Sequence, residues 1–86
     1  MNSNHNNATG MIAEYEQFFT GTVLDCIKSR NRLGASRYEI MLMATPIISK
    51  RFSGMGLSEK SLIKTLDQLL EKDLIYISYH RYIAQL

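Results

Sequence analysis

Few side chains in this 86-residue chain are of the types that carry catalysis or bind metals. The histidines are His5 and His80, and no second histidine or cysteine stands at the short spacing that zinc ligands require. Cys26 falls on the apolar face of a predicted helix, which is typical of a buried, inert thiol. The pair Gly54 and Gly56 is too short for a phosphate-binding loop. We therefore expect no catalytic residue, metal site, cofactor or small-molecule substrate. The protein is not expected to be an enzyme.

The residues best suited to bind an anionic partner lie on the predicted third helix and in the hairpin that follows it. Lys60, Lys64 and Gln68 share the outer face of this helix, and Arg81 stands in the hairpin. Such side chains contact the phosphates and base edges of DNA. The same helix also carries three acidic residues, Glu59, Asp67 and Glu71. This mixed charge favours a solvated helix face over a nucleic-acid surface.

The composition is that of one small globular domain. Hydrophobic residues make up 45% of the chain, and ten Lys and Arg against eight Asp and Glu give a net charge of +2. Dedicated nucleic-acid binders of this size usually carry a larger basic excess. No apolar run reaches the roughly 18–20 residues of a membrane-spanning helix. The single cysteine fits a reducing compartment, so we expect an intracellular protein, nuclear or cytoplasmic, with no membrane partner.

Five predicted elements must position these residues. Apolar side chains recur every three or four positions in three stretches, which predicts three helices. The first covers residues 12–32 and the second residues 37–51. The third follows Ser58 and ends at residues 71–73. The period then changes. Residues 74–78 and 81–86 are rich in β-branched and aromatic side chains, which predicts two strands.

Interruptions are expected at three places. A glycine inside a helix costs about 1 kcal/mol relative to alanine, so Gly21 predicts a kink or a division into two shorter helices. Pro46 removes one backbone hydrogen bond and clashes with the preceding turn, which predicts a kink or break near residues 44–45. Tyr79 and His80 suit a short turn between the strands, although the favoured hairpin turns carry Gly or Asn.

This order of three helices and a hairpin matches the winged-helix plan. The predicted fold is mostly α with a small C-terminal β-hairpin: a three-helix bundle whose second and third helices form a helix-turn-helix, with the hairpin as the wing. Residues 1–10 are polar apart from Ala8 and the initial methionine. We expect them to be a disordered tail, and residues 11–86 to form the domain.

Four segments resemble the C-terminal winged-helix domain of cullins, the scaffold subunits of multi-subunit ubiquitin ligases. Residues 23–31, VLDCIKSRN, are similar to the family's helix in which aliphatic residues lead to a modified lysine and then an arginine. Residues 61–75 resemble the family's long third helix and the strand after it. Residues 51–52 match the aromatic position before that helix, and residues 81–84, RYIA, resemble the end of the cullin chain.

The resemblance implies a function for Lys28. In cullins the matching lysine accepts a ubiquitin-like modifier through an isopeptide bond, next to a RING-finger subunit that recruits the ubiquitin-conjugating enzyme. The residues alone indicate only a cation that complements the helix dipole at the end of the first helix. Asp25 and Asn31 stand where the family has an aliphatic and a basic residue, which makes the surroundings of Lys28 less basic.

Two other functions stay open at this point. One is a DNA-binding winged-helix regulator that uses the third helix and the wing. The other is a winged helix used only for protein contacts in an unrelated complex, through Tyr76 or Tyr79. Nothing in the sequence separates the protein-contact alternative cleanly from a cullin domain, whereas the acidic residues on the third helix count against DNA binding.

Overall fold

The computed structural model describes the backbone of residues 3–53 and 57–85, with side chains from residue 13 onward. Within these ranges three helices are followed by a two-stranded antiparallel hairpin, as the sequence predicts. A short 3-10 turn, Asn31–Leu33, joins the first two helices. The elements are α1 (Ser3–Ser29), α2 (Arg37–Arg51), α3 (Glu59–Glu71), β1 (Ile75–Ser78) and β2 (Arg81–Ala84).

Helix α1 differs from the prediction at its start and its middle. It begins at Ser3, so the backbone of residues 3–10 is helical where we expected disorder. Adding a turn to an existing helix needs no new nucleus, so a polar segment can continue it. The helix also runs through Gly21 without dividing into two. The placement of the domain boundary at residue 10 stays a prediction.

Helix α2 begins with two reciprocal hydrogen bonds and is not broken by its proline. The Ser36 hydroxyl accepts from the Glu39 N–H at 3.2 Å, and the Glu39 carboxylate accepts from the Ser36 N–H at 2.9 Å. Of the kink or break expected near residues 44–45, the break is wrong, since the helix is continuous through Pro46. Ala44 and Ile48 are buried on either side of Pro46, so core packing holds both turns in place.

Helix α3 carries one apolar stripe and ends in a tight reversal. Ser58 caps its first turn by accepting from the Ser61 N–H at 3.1 Å. At its end, the Asp73 N–H donates to the Leu70 carbonyl and the Leu74 N–H to the Leu69 carbonyl, each at 3.0 Å. This pair of bonds, with Asp73 at φ 59°, is a Schellman ending and turns the chain directly into β1.

The hairpin has the register that a two-residue turn dictates. Ser78 faces Arg81 and Ile75 faces Ala84. Tyr79 and His80 form the turn, and both have positive φ, 51° and 65°, which is the conformation of a type I′ turn. The predicted position of the turn is confirmed, although neither residue is the Gly or Asn that such turns favour.

Strand β2 is also paired on its other side. The Ala35 N–H donates to the Tyr82 carbonyl at 2.9 Å, and the Tyr82 N–H donates to the Ala35 carbonyl at 2.8 Å. The segment between α1 and α2 is therefore attached to the hairpin by backbone bonds. Gly34 lies at this junction with φ 71°, where a Cβ would be 2.6 Å from the Ile83 side chain.

The core lies between the three helices and the inner face of the hairpin. Its fully buried large side chains come from every element except β2 and the 3-10 turn: Val23, Ile27, Ile40, Ile48, Leu62, Leu66, Leu69 and Ile75. An aromatic cluster extends this core at the end of α2. Phe52 packs edge-on against Tyr15 and Phe18 at centroid distances of 5.2 and 5.5 Å, and the Arg51 guanidinium lies 4.8 Å from the Phe52 ring.

Two glycines should respond in opposite ways to substitution by alanine. At Gly21 a Cβ meets nothing within 4 Å, so Gly21→Ala should raise the free energy of unfolding by about 0.5–1 kcal/mol. At Gly34 the left-handed backbone and the contact with Ile83 make the same change unfavourable, by more than about 1 kcal/mol. Urea denaturation followed by circular dichroism measures both. Equal effects at the two positions would contradict this account.

Candidate functional site

Lys28 lies in the last turn of α1 with its side chain exposed. The two residues before it, Cys26 and Ile27, are buried, so the helix fixes the backbone while the ammonium group reaches solvent. Among the described side chains, none forms an ion pair with Lys28. Lys28 therefore points away from the core, and its role as an acceptor stays a prediction.

A groove of about 780 Å³ opens beside Lys28. One side consists of the end of α1 and the 3-10 turn, and the other consists of the outer face of the hairpin. Tyr76 and Ile83 are cross-strand partners on that outer face, opposite the buried pair Ile75 and Ala84. The groove is lined by Lys28, Asn31, Arg32, Tyr76, Ile83, Ala84 and Gln85.

The face of α3 that the sequence indicated is exposed and mixed in charge. Lys60, Lys64 and Gln68 line one shallow depression, as predicted from their spacing. Asp67 and Glu71 line the same depression, so its formal charge is zero. Phosphate contact requires a net positive surface, and this face does not supply one.

Arg81 does not join the lysines of α3. Its guanidinium donates to the carbonyl oxygens of Leu33 at 2.9 Å and Gly34 at 3.1 Å, and to the Glu39 carboxylate at 2.6 Å. The Arg81 side chain is still 31% exposed, so its contact with nucleic acid or a partner from the wing stays a prediction. A planar guanidinium with several donors is suited to hold three acceptors at once, and here it fastens β2 to the α1–α2 connection.

Glu39 is the centre of this arrangement, and the sequence analysis did not single it out. Its carboxylate also accepts from Arg30 at 3.5 Å. The hydrogen bond from the Ser36 N–H, together with the positive charges of Arg81 and Arg30, lowers the pKa of Glu39 against an opposing effect of burial. The Ser-x-x-Glu spacing of residues 36–39 is a capping-box signal that could have singled out Glu39 as the partner of Ser36. Nothing local could have identified the distant Arg81.

Two other candidate side chains, Cys26 and His80, lie among the described residues. Cys26 is buried, and burial, together with the negative charge of Asp25, raises the pKa of its thiol. Where side chains are described, no three His, Cys, Asp or Glu residues are grouped so as to hold a metal ion. The side chain of His5, together with Gly54 and Gly56, lies outside the described residues. His80 is exposed in the hairpin turn.

The role of Glu39 gives a test by pH. A lowered pKa means that the charged carboxylate of Glu39 stabilises the fold at any pH above 4.5, the ordinary pKa of the group in an unfolded chain. This contribution is lost as the pH falls through the lowered pKa of the folded state. Glu39→Gln should therefore unfold at lower urea concentration than the wild type at pH 7, and the difference should shrink at pH 3. The matched variant Glu16→Gln, at an exposed position of α1, should change stability by no more than about 0.5 kcal/mol at pH 7. A constant difference across the pH range would contradict the assignment.

The described part of the chain thus presents an exposed lysine, a groove beside it and a helix face of balanced charge. None of its helices is both long and apolar enough to cross a membrane. Comparison with models of known protein families, with curated proteins and with solved structures gave no match.

Proposed function

We propose that this chain is a winged-helix domain of the kind that ends cullin scaffolds, and that Lys28 accepts a ubiquitin-like modifier. The observation that carries the proposal is the position of Lys28, exposed at the end of a helix whose preceding residues are buried. The resemblance of residues 23–31 to the cullin acceptor segment gives this position its chemical meaning. The domain itself performs no catalysis.

The proposed fold is supported by the pairing around the hairpin. Three helices precede the hairpin, and Ala35 between α1 and α2 pairs with Tyr82 as a third, minimal strand. A three-stranded arrangement of this order, with α2 and α3 as consecutive helices, fits a winged helix. In this reading the turn at Tyr79 and His80 is the tip of the wing.

The proposed reaction makes simple demands on the acceptor. The unprotonated amine of Lys28 attacks the carbonyl carbon of the modifier's C-terminal thioester, the enzyme's thiolate leaves, and the nitrogen loses its proton as the isopeptide bond forms. The side chain must reach a thioester held by another protein, so it must be exposed and free of a fixed partner. This chain supplies no catalytic group, because the conjugating enzyme and the RING-finger subunit supply the chemistry. The expected setting is intracellular.

Modification at Lys28 is tested with a purified conjugation cascade. The chain, joined to the RING-binding region of a cullin, is incubated with the RING-finger subunit, the charged conjugating enzyme and the modifier, and intact mass is measured. The wild type and the control Lys64→Arg should each gain one modifier, whereas Lys28→Arg should gain none. Arginine retains the charge but cannot form the isopeptide bond. Equal modification of Lys28→Arg, or no modification of the wild type, would refute the proposal.

The DNA-binding alternative has less support. The depression on α3 contains Lys60 and Lys64 together with two carboxylates, and Arg81 is bound to the α1–α2 connection. We expect no saturable binding of a 20-base-pair duplex at 50 mM salt by fluorescence anisotropy. Binding that weakens steeply with salt and with the double change Lys60→Ala and Lys64→Ala would favour this alternative instead.

A further inference from the structure

The groove beside Lys28 has a charge distribution unlike that of the α3 face. Two of its lining residues, Lys28 and Arg32, are exposed cations, and no acidic residue lines it. Neither cation forms an ion pair with any described side chain. In the α3 depression, by contrast, two lysines lie with two carboxylates. The groove is therefore a positive site whose charge is not already neutralised by its own lining.

The floor of the groove is apolar and partly open to water. Tyr76 is 41% exposed, and its cross-strand partner Ile83 is half-buried. The side-chain amides of Asn31 and Gln85 stand among the lining residues and can donate and accept hydrogen bonds. An apolar floor with a few polar groups and cations at its edge is typical of sites that orient a ligand of mixed character.

We propose that this groove binds a short acidic peptide segment of a partner protein, with one apolar side chain of the peptide seated on Tyr76 and Ile83. Carboxylates on either side of that residue meet Lys28 and Arg32, and the amides of Asn31 and Gln85 pair with the peptide backbone. The charge complementarity favours acidic segments, and the apolar floor favours those acidic segments that carry an apolar side chain. The inference does not depend on modification of Lys28.

Nucleic acid fits the same groove less well. A strand of DNA or RNA requires a row of cations that follows its backbone, with bases stacked on aromatic side chains. The groove offers two cations and a single aromatic ring, and the cross-strand partner of that ring is the aliphatic side chain of Ile83. A leucine or phenylalanine side chain matches this floor, and a pair of carboxylates matches the cations.

The probe is a fluorescein-labelled peptide, Glu-Asp-Leu-Phe-Asp-Glu, whose anisotropy is measured against the full chain at 50 mM salt. Two matched peptides separate the two contributions: Gln-Asn-Leu-Phe-Asn-Gln lacks the charges, and Glu-Asp-Ser-Ser-Asp-Glu lacks the apolar side chains. Saturable binding of the first peptide, at least fivefold tighter than either control, is expected. Binding that is absent, or equal for all three peptides, overturns the proposal.

Variants of the chain locate the site. Arg32→Glu and Tyr76→Ser should each weaken binding at least fivefold, while Lys64→Glu, the same reversal of charge on the α3 face, should leave it unchanged. Both groove positions are exposed, and circular dichroism checks that each variant is folded. Amide chemical-shift changes in the wild type, expected at Asn31, Tyr76 and Ile83, give a readout that needs no variant. The proposal would be overturned if Lys64→Glu weakened peptide binding as much as the groove variants do, or if the chemical-shift changes were confined to α3. It would also be overturned if a six-residue thymidine oligonucleotide displaced the labelled peptide as well as the unlabelled peptide does.

Failure of peptide binding is distinguishable from failure of the proposed function. Modification is measured by intact mass and peptide binding by anisotropy, each on the wild-type chain, so the two results are independent of each other. If the chain binds the peptide but is not modified, the groove stands and the acceptor assignment falls. If the chain is modified but binds no peptide, the acceptor assignment stands and the proposed groove falls.

Discussion

The guanidinium of Arg81 joins the end of the chain to the connection between the first two helices. A hairpin with strands of four residues is marginal by itself in water. Arg81 attaches this hairpin to Leu33, Gly34 and Glu39, and the two backbone bonds between Ala35 and Tyr82 act at the same place. Because these contacts fix β2 against the α1–α2 connection, they also place the outer face of the hairpin beside the end of α1.

Several features of the chain follow from this attachment. Gly34 must approach β2 closely, which leaves no space for a Cβ. Glu39 both closes the first turn of α2 and receives Arg81, so one carboxylate links a helix start to a strand. Arg81 is thereby held by three acceptors, whereas the two cations that line the groove, Lys28 and Arg32, form no ion pair with a described side chain. The groove that they border exists only because the hairpin is held in this position.

The proposed modification and the proposed peptide binding concern the same end of the molecule for a physical reason. Transfer of a modifier requires that the acceptor amine be held close to the thioester, and proximity of this kind is supplied by contacts outside the reacting groups. An exposed lysine on a flat, charge-balanced helix would lack such contacts. Lys28 instead borders a groove with an apolar floor and two cations, whereas the lysines of α3 lie among carboxylates.

The periodicity of apolar residues by itself determined the three helices, because side-chain spacing reports which face of a helix is buried, and the β-branched and aromatic residue types determined the hairpin. Local residue types did not indicate that α2 continues through Pro46, where core packing holds both turns, or that α1 begins at Ser3. Only the tertiary structure decided the role of Arg81 and the presence of the groove. Arg81 meets Glu39 across 42 positions of the chain, and the groove needs the end of α1 beside the hairpin; contacts of such separation leave no periodic trace in a single sequence.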